Sequence, residues 1–319
     1  MTTIDADGDI YEFPYIRPEK LGWVDSWKRE IWNPDTRQFF GRTGKSWGGV
    51  LIFYVTFFGA LAAMFAICMQ GLFWVIDDKR PRYILDDSLI GSNPGLGFRP
   101  ISYEASSGAL IWYRAANESD YRHWTDQLDK FLEPYRMPQK LPGGGKNQQV
   151  CDFDRPPQEG MVCEVNVKKF QPCTREMGYG FNRSSPCIFI KLNKIYDWMP
   201  EFYEKNKLPE DMPDDLKTHI LKTNPKEMNQ VWVSCRGESP ADRENIGPIS
   251  YIPNQGFPGY YYPYKNVDGY LSPLIAVHLA RPQLNTLINI ECRAWAKNIA
   301  YLYSHGDREG SVHFEVMID

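Results

Sequence analysis

No Asp, Glu, Lys, Arg or His occurs between Ser46 and Ile76, and no second uncharged run of that length exists in the 319 residues. The second absence limits the chain to one membrane crossing by a helix. Cysteine is missing from the first 46 residues although seven are present further on. There is no internal repeat or low-complexity tract, which excludes a solenoid or a fibrous array. Motifs of common enzymes are also missing. No G-x-S-x-G occurs, so nothing marks a nucleophile elbow. His123, His219, His278, His305 and His313 are scattered without metal-ligand spacing. Gly143-Gly-Gly-Lys146 is followed by Asn147, and Gly41-Arg-Thr-Gly-Lys-Ser46 has no first glycine at the needed distance, so neither cradles a phosphate. A formal net charge of -4 argues against nucleic acid as a partner.

What is present begins with the uncharged run itself. Val50 to Ile76 is long enough, at about 1.5 Å per residue, to cross a hydrocarbon core of about 30 Å. Trp47 and Trp74 sit near the two ends of the run, where indole rings prefer the polar interfaces. Membrane lipid is therefore the expected surrounding of residues 47–76. Tyr54, Phe58, Leu61 and Phe65 fall on one side of such a helix, and Gly59, Ala62, Ala63 and Ala66 on the other. Small residues at this spacing let a second helix backbone come close.

Basic residues flank the N-terminal end (Lys28, Arg29, Arg37, Arg42, Lys45) more than the C-terminal end (Lys79, Arg80, Arg82), a bias toward a cytoplasmic N-terminus. The cysteines point the same way. Cys68 is in the span, and the other six, Cys151, Cys163, Cys173, Cys187, Cys235 and Cys292, all follow it, as an oxidising compartment on that side would produce. Both glycosylation sequons, at Asn117 and Asn182, also follow it. The span lies too deep and runs too long for a cleaved signal peptide. The expected organisation is a cytoplasmic tail over 1–46, a transmembrane helix over 47–76 kept as a signal anchor, and an extracellular domain over 77–319, in type II orientation.

Within the tail, the acidic first twelve residues read as disordered. Trp23, Trp27, Ile31 and Trp32 recur at roughly helical spacing, so a short membrane-surface helix is expected before Asn33-Pro34 stops it. Beyond the span, Asn93 to Pro100 is turn-rich and reads as a stalk. Ser119-Asp120 caps an expected helix with apolar positions Tyr121, Trp124, Leu128, Phe131 and Leu132, ending at Pro134.

The pattern then changes to period two. Segments starting at Cys187, Val231, Gly269, Leu287 and Val312 read as strands, and several strands with Pro/Gly turns argue for a sandwich or barrel. By parity, Cys235 shares a face with Val231 and Val233, and Cys292 with Ile288 and Ile290. Both sulfurs should face the core, and a bridge between two sheets is inferred. Six cysteines allow fifteen pairings, which sequence alone does not resolve; nearest-neighbour pairing is the simplest that respects parity.

At this point several segments resemble one family. WNPDTRQFFGRTGKSWGGVLIFYVTFFGALAAMF, NPGLGFRP, SYIPNQGFPGYYYPY, and YLSPLIAVHL with NTLINIECRAWAKNI, all in order, are similar to the β subunit of potassium-countertransporting P-type pumps, above all the sodium/potassium pump. The resemblance covers most of the chain, including all six outer cysteines. It implies a plasma-membrane glycoprotein with an immunoglobulin-like β sandwich carrying an inserted helix. It further implies no catalysis and no cofactor or metal of its own, and a catalytic α subunit as obligatory partner. A small single-span regulatory subunit is a further partner of such pumps.

The resemblance also implies consecutive disulfide pairing and an α contact through two tyrosines four apart on the span. Tyr54 matches the first, but Phe58 stands at the second, without the hydroxyl. Leu61 and Phe65 continue that face. The aromatic loop at Tyr260, Tyr261, Tyr262 and Tyr264 is a family motif expected to face α, here continued by Lys265-Asn266 where Tyr and Gly are usual. The Cys151 to Cys163 loop is shorter than typical and carries no sequon.

Two rival readings come from other classes. Golgi glycosyltransferases share type II topology, and Asp152-Phe-Asp154 is a D-x-D triplet, but no strand-helix alternation of a nucleotide fold accompanies it. A stand-alone adhesion glycoprotein would need only the sandwich.

Overall fold

The structure is a computed structural model that describes residues 22–34, 36–102, 108–303 and 308–319, and the backbone of 2–4 and 10–12. Residues 5–9 of the acidic tail and His305 lie outside the described residues. Thr2–Ile4 and Ile10–Glu12 pair as short antiparallel strands where disorder is expected. The chain divides into two compact units, Met1–Ile76 and Asp77–Asp319.

In the first unit, helix α1 spans Trp23–Ile31 and helix α2 spans Gly44–Val75. The α1 periodicity is borne out up to Ile31, but Trp32 turns into a strand because Asn33-Pro34 disfavours further helix. Three two-residue strands, Trp32–Asn33, Gln38–Phe39 and Arg42–Thr43, join the helices as a tight antiparallel meander. Helix α2 begins three residues before the expected 47, because a lysine at a helix end needs no lipid contact, and it stops one residue before 76. It is the one described helix long and apolar enough to cross a membrane. This fits a single-pass membrane protein.

The second unit is largely β. Its main strands are β1 (Leu96–Arg99), β2 (Leu110–Tyr113), β3 (Cys187–Leu192), β4 (Gln230–Gly237), β5 (Ile249–Ile252), β6 (Gly256–Pro258), β7 (Leu274–Leu279), β8 (Ile288–Trp295) and β9 (Ser311–Ile318). One sheet has the order β5-β7-β3-β1 and the other β6-β4-β8-β9-β2. All neighbours are antiparallel except β9 and β2. Residues of both sheets meet in one core, where Phe98 of β1 stacks on Phe314 of β9 at 5.1 Å. A second, smaller core lies on the other side of β4, where Trp232 and Trp295 pack on Leu216 and Ile220 of helix α4 (Asp214–Lys222). Both faces of β4 are therefore apolar, which is why VWVSC reads as strand by its Val and Cys positions and still carries a buried Trp between them.

Three expectations change. The segment read as a stalk forms β1: Leu96 and Phe98 alternate into the core, and the strand pairs with β3. Helix α3 spans Glu118–Arg136, with Asn117 as its cap in place of Ser119-Asp120. The Asn117 side chain accepts from the Ser119 N–H at 3.1 Å and from the Ser119 hydroxyl at 2.7 Å, so that serine donates to the cap instead of forming one. The helix also continues past Pro134. Tertiary contacts hold its last turn: Tyr135 donates to the Ser272 carbonyl at 3.0 Å, and Arg136 pairs with Asp129 at 3.0 Å.

The third correction concerns the long disulfide. Cys235 on β4 and Cys292 on β8 are bonded, and both sulfurs face the main core. They do not bridge two sheets. The residues are directly opposite on neighbouring strands of one sheet, with Cα atoms 4.0 Å apart, a spacing that only a laterally adjacent pair allows. Parity fixes the face of a side chain but says nothing about which strand is beside it. Cys151–Cys163 and Cys173–Cys187 complete the consecutive pairing.

A buried carboxylate ties the short helix α5 (Pro240–Asn245) to the second sheet. Asp242 accepts from the Ser239 N–H at 3.0 Å, the Ser239 hydroxyl at 2.6 Å and the Asn289 N–H at 3.0 Å. Burial opposes its charge, but hydrogen bonds from Ser239 and Asn289 outweigh this and hold its pKa below the usual carboxylate value. Its stabilisation is complete above the unfolded pKa of about 3.9 and is lost as pH falls through the lower folded value. Asp242→Ala should cost roughly 2–3 kcal/mol near neutral pH, since the Asn289 N–H is left buried without a partner. Thermal melts from pH 7 down to pH 2 check this: the gap between wild type and variant should narrow at the acid end.

Candidate functional site

Two groups of residues singled out in the sequence occupy distinct surfaces. The first is on α2. Tyr54 stacks on Phe58 with ring centroids 5.9 Å apart, and Phe53 stacks on Phe57 at 6.0 Å. Each pair is four residues apart, the spacing that brings side chains together on a helix surface. Edge contacts at 5.5 and 5.4 Å join the two stacks into one patch of four rings. Leu61 and Phe65 extend it, and none of Tyr54, Phe58, Leu61 and Phe65 is less than 46% exposed. Behind this ridge, a side chain added at Gly59 would meet nothing within 4 Å, so the missing Cβ serves no packing inside this chain.

The second surface is the aromatic loop, and its four tyrosines differ in how they are used. Tyr260 lies against Phe153 at 5.2 Å, next to the Cys151–Cys163 bridge. Tyr261 donates to the Glu164 carbonyl at 2.8 Å. The Tyr262 hydroxyl is sealed from solvent with its ring against Trp198, and burial pushes its pKa well up. Tyr264 packs on Tyr270 at 4.8 Å and donates to Asn266 Oδ1 at 2.8 Å. All four tyrosines are half-buried, and Tyr261 and Tyr262 brace the loop through their inward hydroxyls.

Residues that sequence reasoning missed hold this loop in shape. Lys194 Nζ lies 5.0 Å from the centroids of both Tyr264 and Tyr270, a cation–π pair of contacts, and burial lowers its pKa. Asn266, where the loop departs from the family pattern, donates to the Lys79 carbonyl at 3.3 Å, and Asp268 pairs with Lys79 at 3.5 Å. Lys79 is three residues beyond Ile76, so the loop is fastened where the chain enters its second unit. No local signal could have found Lys194, which is 70 positions from Tyr264 and meets it only through the fold.

The remaining candidates separate. Asn182 is exposed, whereas Asn117 is half-buried and donates to Asp120 Oδ1 at 2.9 Å. Asp154 of the D-x-D triplet pairs with Lys226 at 2.9 Å and Asp152 with Arg155 at 3.5 Å. Both carboxylates already have cationic partners. Among the described residues, no group of three or more His, Cys, Asp or Glu could hold a metal.

A family model described as the sodium/potassium ATPase beta chain matches residues 17–314. The chain is 49% identical to the sodium/potassium-transporting ATPase subunit beta-2 of Drosophila melanogaster and 45% identical to its subunit beta-1, each over 100% of both chains. It is 31% identical to subunit beta-2 of Homo sapiens, over 93% of this chain and 95% of the human one. The family model takes in residues 17–314 and relatives well above 30% identity match over the whole chain, so the chain belongs to the sodium/potassium ATPase beta chain family.

Proposed function

We propose that this chain acts as the non-catalytic partner of a sodium/potassium pump α subunit, needed for its assembly and surface delivery and modulating its response to potassium. One observation carries the reading. A chain of this family has an aromatic ridge, stacked by its own spacing, along a membrane-crossing helix that leaves it uncovered. In lipid, hydrophobicity gives no drive for helix association, so a preformed ridge beside an open Gly59 backbone suits packing against another helix. In this reading residues 1–46 are cytoplasmic, and 77–319 lie outside the plasma membrane as an immunoglobulin-like sandwich with α3 inserted between β2 and β3. Tyr260 and Tyr264 touch extracellular loops of α, and Tyr261 and Tyr262 keep the loop rigid. A small single-span regulatory subunit is a further partner.

The mechanism is linkage. If the β chain packs better against the α conformations that occlude potassium, it shifts their population and with it the apparent potassium affinity. Co-purification from membranes tests the partnership directly. In the assembled complex, Tyr54→Ala with Phe58→Ala should shift half-activating potassium by about two- to fivefold, about 0.4–1 kcal/mol of coupling. Unaltered potassium activation at full assembly would remove the ridge from the mechanism.

The glycan is proposed on Asn182. Asn182→Gln should reduce the mass by one glycan. Asn117→Gln should instead act through the helix cap, costing about 1 kcal/mol of stability.

A further inference from the structure

Helix α1 has an apolar face that nothing in its own unit covers. None of its nine residues is buried, and Trp23, Val24, Trp27 and Ile31 are 79, 56, 57 and 40% exposed. At 3.6 residues per turn these four fall within an arc of about 100°, with Asp25, Ser26 and Arg29 around the rest and Glu30 and Lys28 at its two borders. An apolar stripe this narrow on so short a helix requires a flat partner.

What covers it follows from how α1 is joined to α2. The Ile31 carbonyl accepts from the Phe40 N–H at 3.0 Å, and the Phe39 carbonyl accepts from the Trp47 indole N–H at 2.8 Å. The meander between them therefore fastens the last turn of α1 to the first turns of α2 without a loose linker. Its rings are out as well: Trp32, Phe39, Phe40 and Trp47 are all exposed, with Phe39 against Phe40 at 4.8 Å and Trp47 at 6.3 Å. This gathers six exposed aromatic residues, Trp23 and Trp27 included, into the 25 residues that end at Trp47. Indole and phenyl rings concentrate at the membrane interface, and a short amphipathic helix lies in that plane with its apolar face among the upper acyl carbons. Charge agrees. Lys28, Arg29, Arg37, Arg42 and Lys45 outnumber Asp25, Glu30 and Asp35 over 22–47, which suits an anionic headgroup layer.

We propose that α1 lies flat in the leaflet that the N-terminal end of α2 enters, and that α1 and the meander form a collar binding anionic phospholipid. The collar would fix the tilt and depth of α2, and so the angle at which its aromatic ridge is presented. This rests on the reading of α2 as a bilayer span.

The test uses the full-length chain, assembled with its companion α chain, in a Cys68→Ala background that leaves the introduced thiol as the free one. Nitroxide labels are placed by Val24→Cys and Ile31→Cys on the apolar face and by Asp25→Cys and Arg29→Cys opposite, with Ile67→Cys in the span as a control for α2. Vesicles contain phosphatidylcholine with or without phosphatidylserine, and accessibility to oxygen and to a water-soluble nickel chelate is read by EPR. The expected result is a several-fold higher oxygen-to-nickel ratio at 24 and 31 than at 25 and 29, falling when phosphatidylserine is omitted. Free nickel access at 24 and 31 overturns the proposal. Closure of these positions to both reagents, meaning a protein covers them, does so too. A ratio unchanged without phosphatidylserine overturns the anionic preference. Failure of the Ile67 control would instead remove the spanning reading, so the two failures are told apart.

Discussion

Replacing Cys235 and Cys292 together by alanine should destabilise the second unit more than removing either other disulfide. The bridge closes a separation of 57 residues, against 12 and 14 for the others. By chain entropy the long loop is worth roughly 4 kcal/mol and each short one about 3 kcal/mol. The packing lost with the paired sulfurs, which lie in the main core, adds to the first figure. A domain with about 5–15 kcal/mol in total has little left after that loss. The measurement is the protease-resistant fraction of full-length chain at 37 °C for the three double variants. Equal survival of all three would mean that the β4–β8 ladder holds the sheet without its bridge. The double variant is needed because one remaining thiol would be free to mispair.

Phe314→Ala should cost about 3–5 kcal/mol, the range for a large aromatic removed from a closed core. Phe314 is fully buried on β9, pairs across the ladder with Ile290, and stacks on Phe98 of the other sheet. Its ring is thus a contact by which one sheet holds the other. For a unit of this size each kcal/mol lowers Tm by about 2–4 °C, so a fall of roughly 10 °C is expected. Thermal unfolding of the full-length chain checks it, with Leu287→Ala on the surface as control. A fall no greater than the control's would mean that the sheets do not depend on this contact.

Much of this architecture was readable in the residues. An uncharged run has one low-energy environment, so α2 follows from composition. Period two located β4, β8 and β9, because each turns alternate apolar residues into the main core, whereas β3 and β7 stood out as strands through runs that are apolar and buried on both faces. Shorter or interrupted strands were not readable. β1 is written Leu-Gly-Phe-Arg between two prolines, with too few positions to separate a strand from an extended stalk. β2 pairs in parallel with β9 across some 200 residues, and nothing local announces such a partner. The α2 ridge was legible because helix periodicity alone sets its neighbours. The aromatic loop was visible as a motif, but the different duties of its tyrosines depend on Lys194, Trp198 and Glu164, which are distant in the chain.

By itself the sequence determined one membrane helix, a cystine-rich β domain after it, and the core-facing sides of Cys235 and Cys292. Those features depend on hydrophobicity and on side-chain alternation, which are properties of neighbours along the chain. Tertiary structure alone decided that the two cysteines sit on adjacent strands of one sheet, that the supposed stalk is a strand, and that the helix α3 outlasts its proline. Each of these is a pairing between segments far apart in sequence, and its free energy exists only once the chain has brought them together.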